Sequence, residues 1–587
     1  MKCYNLTISV TGPLMIAGIE AIAHGVDAPF LRNHEGRIII PGSQIRGVVR
    51  HVMRAMAAKS DRLPEEKADR LFGQVSATAG ENADEAFESN SSAWEPRYGE
   101  IEFSDLVIEG REDRSSAMTR VAVDGFTGAV SHGSLQVLEQ PIAVGETIDF
   151  SGYIEIQTKD GDEDEMADWV RKALILTPAI GAHKSAGFGK IERILLENGV
   201  ETKTEYAVDE GVIAQIVRAG AAEVVLVFDA PFLVSSGRWN TNLFTGSPDV
   251  PGSVLKAAIA QSTGANETDS SLYQSLAGCV MAELRPARED ETRPMTPPLS
   301  LYYLETMGEL LDAIDVSPSD WAEDGEMISF AMDWKEGSKP FELRSQSYPR
   351  SFDASYHVRT HTAINDSGTA DTGKLFTFAA VEPKDFVWKG RISKGALNDD
   401  EFAELLRALP GRLLGIGKTR VSASLSIQPV EPISDRISGE VIMVLETDAC
   451  LHTPNDLFAF GDEPAEEQLR LQYQAYLAGA LRDRTGNSIV FSDEDLNLKF
   501  YASQRRLGGY LSARYAPTDD GYYPWLVTNA GSVFRFVVPE GCEVALESFV
   551  SCGLPVPAGF DTARKHWQGN PFVPENGFGE VRMSSAK

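Results

Sequence analysis

Cysteine is scarce in this chain. Five residues (Cys3, Cys279, Cys450, Cys542 and Cys552) are scattered along 587, and no two stand in a CxxC pair. That excludes a disulfide framework and a cysteine-based zinc site. Long apolar runs are missing too. The longest, such as Val224–Phe228, fall far short of the ~20 residues a membrane helix needs. Met1–Val10 alternates polar and apolar residues, which is a strand pattern, and has neither the basic start nor the apolar block of a secretory leader. The expectation is a soluble, cytoplasmic protein with no membrane partner. An excess of basic charge is also lacking. Lys and Arg number 54 against 86 Asp and Glu, a net charge of −32, which argues against tight, sequence-blind binding of nucleic acid. The charge is patchy, however. Acid gathers in stretches that read as surface insertions, Glu81–Glu88 and Asp160–Asp168, whereas Phe30–Arg62 holds seven basic and two acidic residues. Ions screen charge beyond roughly 8 Å at physiological salt, so local patches decide contact with phosphate.

What is present is length and repetition. At ~150 residues per domain the chain makes three or four domains, and 43% apolar residues suffice for several cores. Self-similarity recurs at a spacing of roughly 200 residues, longer than solenoid periods. A strand at Tyr4–Val10 leads through a loop to Ile40-Pro41-Gly42-Ser43-Gln44-Ile45-Arg46. A strand at Glu223–Phe228 leads to Val250-Pro251-Gly252-Ser253-Val254-Leu255-Lys256. Gly128, Gly133 and Leu135 are matched by Gly368, Gly373 and Leu375 at identical spacing, each set following an arginine, Arg120 or Arg359. The units close alike, on Gly187-Phe188-Gly189, Gly415-Ile416-Gly417 and Gly577-Phe578-Gly579. The third begins with a strand near Gly439–Glu446, continues into a helix around Ala465–Arg482, and lacks a Pro-Gly-Ser element. The expected boundaries are 1–205, 218–430 and 437–587. Strand, helix, paired strands, helix and strand make a ferredoxin-like (RRM-like) α+β unit, whose open sheet face suits RNA.

Candidate binding residues follow from the glycine elements. After Pro41-Gly42-Ser43, the residues Ile45, Val48, Val49, Val52, Met53 and Met56 make one apolar helical stripe. Ser43 suits an N-cap, and Gly42 lets another backbone come close. Arg46, Arg50 and Arg54 run beside the stripe. The arrangement reads either as a capped core helix with a solvated basic edge or as a phosphate site at a helix N-terminus. Gly252, Ser253 and Lys256 repeat it. His183, Lys184, Ser185, Gly187 and Gly189 form a glycine- and lysine-bearing loop between helix and strand. It is read as a sugar-phosphate contact or as an ordinary turn with φ > 0. Gly577 and Gly579 repeat that loop. Gly415–Thr419 resembles the tail of a P-loop, but Arg412 stands where the first glycine is required, and the turn is expected to follow a helix; nucleotide hydrolysis is not expected.

These residues resemble the repeat-associated mysterious proteins (RAMPs), ferredoxin-like subunits of CRISPR effector complexes. Residues 1–200 resemble the repeating backbone subunit of type III complexes, on Gly25-Val26-Asp27-Ala28-Pro29-Phe30, Ile40–Arg50, Leu71-Phe72-Gly73, Gly99–Asp105, Arg120–Asp124 and the Gly187-Phe188-Gly189 loop. Residues 220–587 are similar to a two-unit RAMP subunit of type III-D systems, on Asp249–Leu255, Arg293–Pro298, Gly508-Gly509-Tyr510, Ala530–Phe534 and Gly577-Phe578-Gly579. The resemblance implies three tandem RAMP units, a guide crRNA and a target RNA as partners, and neighbouring effector subunits (backbone RAMPs, a large and a small subunit). It further implies metal-dependent endoribonuclease cleavage of the target at Asp27, with Mg²⁺ or another divalent ion held by Asp27 and RNA oxygens. The alternative for Asp27 is a turn cap ahead of Pro29, which would leave a non-catalytic guide-binding scaffold. The second unit's equivalent loop, Ser235–Gly246, carries Arg238, Asn240 and Asn242 but no acid, and is expected to bind without cutting. A guide-maturation RNase using His24, His34 or His51 fits the fused layout poorly, and no paired-carboxylate hydrolase motif is present.

Overall fold

A computed structural model describes residues 1–18, 25–59, 62–73, 99–108, 116–158, 160–197, 199–201, 208–240, 242–265, 270–304, 309–315, 348, 352, 354–364, 370–430, 439–453, 466–486, 488–509, 511–512, 515, 524–557 and 569–586. The acidic stretch at 81–88, His24, Gly368 and Tyr510 lie outside the described residues. The chain is an α+β protein with several antiparallel sheets, and three of these share one strand order.

The first sheet grows from β1 (Lys2–Thr11), in which Tyr4, Leu6, Ile8 and Val10 are buried at every second position. That period of two turns one face to a core. Helices α1 (Gly42–Ala57) and α2 (Glu65–Phe72) follow, then β2 (Ile101–Phe103), β3 (Leu106–Val107) and a hairpin of β4 (Ser116–Arg120) and β5 (Gln136–Gln140). Strand β6 (Thr147–Ile156), helix α3 (Glu163–Ile175) and β7 (Lys190–Leu196) complete the segment. Strand β1 is central. It pairs with β6 along its whole length, Lys2 opposite Ile156 through Thr11 opposite Thr147, and with β7 on its other side, while β2 and β3 pair with β6. Ile45, Val49 and Met53 of α1 and Met166, Val170 and Leu174 of α3 cover the sheet in one core.

The second segment opens with α4 (Glu210–Ala219), where a linker at 205–218 was expected. Its Ile213 and Ile216 join the second core, and the Asp209 side chain caps its N-terminus. Then come β8 (Ala221–Phe228), α5 (Gly252–Thr263), β9 (Val280–Met281), β10 (Arg285–Ala287), the hairpin β11 (Tyr356–Ile364) and β12 (Ala370–Val381), β13 (Val387–Ser393), α6 (Asp399–Ala408), β14 (Arg412–Ile416) and β15 (Val421–Pro429). The order β9-β13-β8-β15-β14 again puts the first strand between the third core strand and the last. The expected loop at 235–246 contains two short strands, Ser235–Asn240 and Leu243–Gly246, and the latter extends the hairpin sheet by pairing in parallel with β12. The P-loop-like turn follows strand β14, not a helix, and runs into strand β15. The turn thus joins two strands, and the expectation that it follows a helix is corrected.

The third segment comprises β16 (Glu440–Leu445), α7 (Glu466–Arg484), β17 (Lys499–Tyr501), β18 (Val533–Val537), α8 (Glu543–Cys552) and β19 (Val581–Ser585), in the order β17-β18-β16-β19. Each segment thus has its own sheet and its own core, the third built on Met443, Tyr473, Leu477, Phe534 and Phe549. No described helix is long and apolar enough to cross a membrane.

Candidate RNA interface and the Asp27 loop

The loop bearing Asp27 is clamped to β5. The Asp27 and Ala28 N–H groups both donate to the Val137 carbonyl, at 2.9 and 3.2 Å. The Val137 N–H returns a bond to Asp27 Oδ2 at 2.7 Å. Three residues beyond Asp27, the Phe30 N–H donates to Glu139 Oε2 at 2.6 Å, and Arg32 holds both oxygens of the same carboxylate. Glu139 is buried and Arg32 nearly so, which fixes the loop across the base of the β4–β5 hairpin. The Asp27 side chain is exposed. One oxygen is used in holding the loop, as a turn cap would be, and Oδ1 makes no hydrogen bond among the described residues. No set of three or more His, Cys, Asp or Glu among the described residues could hold a metal ion. A single carboxylate is not a Mg²⁺ site, so the donor set described does not by itself fit the expected metal.

Above this clamp the hairpin tip is apolar and uncovered. Phe126 is 99% exposed, and Val123, Val130 and Leu135 are more than half exposed. The tip is ordered from within: Asp124 accepts from the Phe126 and Thr127 N–H groups and the Thr127 hydroxyl, which hold its carboxyl below the usual range. The residue-level reading missed this tip. Its signal was a set of apolar side chains in a glycine-bearing turn with no helical or strand period to bury them. The glycine match noted between units lands on hairpins in both segments. Gly133 and Gly373 both have positive φ, and Leu135 and Leu375 are both exposed.

Helix α1 departs from the expected capping. Its N-cap is Pro41, with no side-chain cap, and Ser43 sits exposed inside the first turn. The Gly42 N–H donates to Asp105 Oδ1 at 2.9 Å, and Asp105 is in turn held by Arg359 of β11 at 2.6 Å. A phosphate at this helix end would compete with a carboxylate already there. Gly42 is needed for packing: a Cβ would lie 2.2 Å from the Phe103 carbonyl oxygen. Helix α5 repeats the design, with Pro251 as N-cap and the Gly252 Cβ position 1.8 Å from the Met281 oxygen. Ser253 is half-buried, and Lys256 donates to the Cys279 carbonyl at 2.6 Å, its ammonium pushed down by burial.

Of the α1 arginines, Arg54 grips Asp69 and Arg46 donates to the Phe72 carbonyl. Burial, with Arg420 nearby, lowers Arg46 to about 10. Arg50 makes no hydrogen bond or ion pair among the described residues, and its Nε is buried without a partner. Burial, then Arg54, lowers it. A buried donor left unmatched costs about 1–3 kcal/mol, and a phosphate oxygen would satisfy it.

The terminal turns differ in exposure. In the first, His183 takes a left-handed conformation with its ring edge-on to Phe188, and Arg120 lies over Phe188 at 5.2 Å. Lys184, Ser185 and Gly187 are exposed; Gly189 is buried, its N–H donating to the Pro13 carbonyl. Gly577 and Gly579 of the third turn are both buried, Gly577 against the second segment.

Residues 7–192 match the family model of the RAMP superfamily, which spans the first sheet from β1 into β7. That stretch is a RAMP superfamily domain within a 587-residue chain. No curated protein sequence matches the chain.

Proposed function

We propose that the chain consists of three tandem ferredoxin-like RAMP units and serves as the guide-RNA-binding subunit of a type III, III-D-like CRISPR effector, cutting complementary target RNA at the Asp27 loop. RAMP membership of residues 7–192 supplies the CRISPR-associated RNA-binding role, and the recurrence of one strand order supports extending it along the chain. The observation that carries the cleavage assignment is the exposed Asp27 carboxylate, held rigidly at the base of a hairpin whose apolar tip projects alone. Asp27 would accept the proton of a target 2′-hydroxyl. The resulting alkoxide attacks the adjacent phosphorus in line, and the 5′-oxygen leaves and takes a proton from water, giving a 2′,3′-cyclic phosphate and a 5′-hydroxyl. Arg50 stands as a phosphate contact. A divalent ion, if used, would take most of its ligands from RNA, and no step is assigned to it. The second and third units bind without cutting.

The Val137 N–H bond to Asp27 favours a second reading, in which the carboxylate only braces the loop and the chain is a scaffold. Co-expression with its genomic neighbours and a CRISPR array, followed by sequencing of the bound RNA, tests the guide assignment. A discrete RNA beginning with repeat-derived sequence supports it; random fragments or an RNA-free complex overturn it. Cleavage of complementary RNA by the wild-type complex, absent in Asp27→Asn, separates nuclease from scaffold.

A further inference from the structure

The three terminal turns place a glycine at one common position, Gly187, Gly415 and Gly577, each with positive φ. In the second segment this turn abuts the first. A Cβ on Gly415 would lie 3.1 Å from Glu102 Oε1 on β2. Arg420 Nε donates to the same oxygen at 2.6 Å, and Arg412 donates to Glu155 of β6 at 2.7 Å. In the third segment the turn abuts the second in the same way. A Cβ on Gly577 would lie 2.6 Å from the Met281 oxygen on β9, and the Gly252 Cβ position is 3.0 Å from the Asn576 oxygen. Strands β2 and β9 hold equivalent places, each beyond the first core helix and paired to the third core strand. The contact is therefore made twice within the chain. At Gly187 no described residue lies within 4 Å of the Cβ position.

The two contacts carry opposite charge. Between the first and second segments the acceptor edge is acidic (Glu102, Glu155) and the turn side basic (Arg412, Arg420). Between the second and third the acceptor is basic (Arg285, Arg293) and the turn side acidic (Glu446, Glu580). The first turn has the basic polarity. Lys190 stands where the third turn has Glu580 but is paired to Glu192 at 2.7 Å, so the basic charge rests on exposed Lys184 and half-buried Arg120 beside it. The acidic edge that would match it in this chain, Glu102 with Glu155, is already covered by the second segment.

We propose that the first terminal turn, residues 183–190, is a protein-docking surface that receives the acidic sheet edge of a separate polypeptide. The ring contacts of His183 and Arg120 on Phe188 hold it in shape for that partner. This assignment is independent of whether Asp27 cuts RNA. It gives the turn a role in assembly, in place of the sugar-phosphate contact the residues alone suggest.

Zero-length carboxylate–amine cross-linking of the complex purified with its co-expressed neighbours tests it directly. The expected product joins Lys184 to an Asp or Glu of a second polypeptide. Exposed Ala186, changed to Glu, sets a like charge against that edge and should lower co-purification of the polypeptide by about tenfold or more, with the guide RNA still bound. A Lys184–RNA photo-adduct without the carboxylate cross-link overturns the proposal in favour of RNA. It also fails if Ala186→Glu leaves every neighbour in place, or if the wild type carries no second polypeptide. Should Ala186→Glu lose both neighbour and RNA, the cross-linked partner of Lys184 decides between the two.

Discussion

Asp27 is asked to hold its loop and to face solvent, and the two demands can be separated by isosteric substitution. Asparagine keeps an oxygen for the Val137 N–H bond, which spans 2.7 Å, but cannot take a proton. Asp27→Asn should lose about 10²–10⁴-fold in target cleavage with guide occupancy and melting temperature unchanged; Asp27→Ala should add a loss of roughly 1 kcal/mol from the missing brace. Equal cleavage by wild type and Asp27→Asn would leave the scaffold reading. Arg50 offers a second case. Because it has no hydrogen-bond or ion-pair partner to release among the described residues, Arg50→Ala should weaken RNA binding and reduce the log–log salt slope by about 1, measured by titration at several salt concentrations. Glu446 gives a pH dependence. Burial alone would raise its carboxyl, but Arg285, Arg582 and the Thr296 N–H outweigh that and hold it below the usual range. A depressed folded-state value means the stabilisation is complete above the unfolded value of about 4.3 and is lost as pH falls through the folded one. Denaturant midpoints of wild type should therefore fall on acidification below about pH 4, and Glu446→Gln, which removes one of the two carboxylates paired with Arg285 while Glu283 stays at 3.2 Å and so costs about 1–3 kcal/mol at neutral pH, should show a flatter profile.

Among the elements, α1 shows what could be read from sequence and what could not. Its apolar stripe was legible because helical spacing is local, and so was the two-residue alternation of β1. The role of Gly42 as a point of close backbone approach was legible too. Its N-cap was not: the fixed φ of Pro41 starts the helix, and Asp105, a carboxylate 63 positions away, satisfies the first N–H. Ser43→Ala should accordingly change stability by less than ~0.5 kcal/mol. Gly42→Ala must push the Phe103 carbonyl away and should cost at least about 1–3 kcal/mol, seen as a lowered midpoint in thermal or urea unfolding; the reverse ranking would restore Ser43 as the cap. The same locality explains α4. Two buried anchors, Ile213 and Ile216, leave too weak a stripe for a helix to stand out from a linker. Strand Leu243–Gly246 likewise depends on a partner, β12, more than a hundred residues distant.

Over the whole molecule, order is written in charge that only the folded chain brings together. Glu102 meets Arg420 across 318 positions and Arg293 meets Glu580 across 287, so neither pairing has a local signature. The inversion of sign means that the third turn set on the first segment would place Glu580 against Glu102, and the second turn set on its own kind would place Arg420 against Arg285. Like charges opposed at a dry contact cost several kcal/mol, which disfavours both of those placements. Arg293 and Glu580 are each 18% exposed and bonded through both oxygens at 2.6 and 2.7 Å, which makes them suited to reversal. Arg293→Glu alone sets two carboxylates together and should destabilise the second–third contact by about 1–3 kcal/mol, detectable as faster limited proteolysis between the segments. Adding Glu580→Arg restores opposite charge but places an arginine beside Arg391, whose guanidinium is lowered first by burial and now faces Glu580. The double variant should therefore recover part of the loss, and replacing Arg391 by Gln in that background should recover more. Full recovery without the third change would mean that Arg391 plays no part; no recovery would mean that shape, not charge, sets the order of the segments.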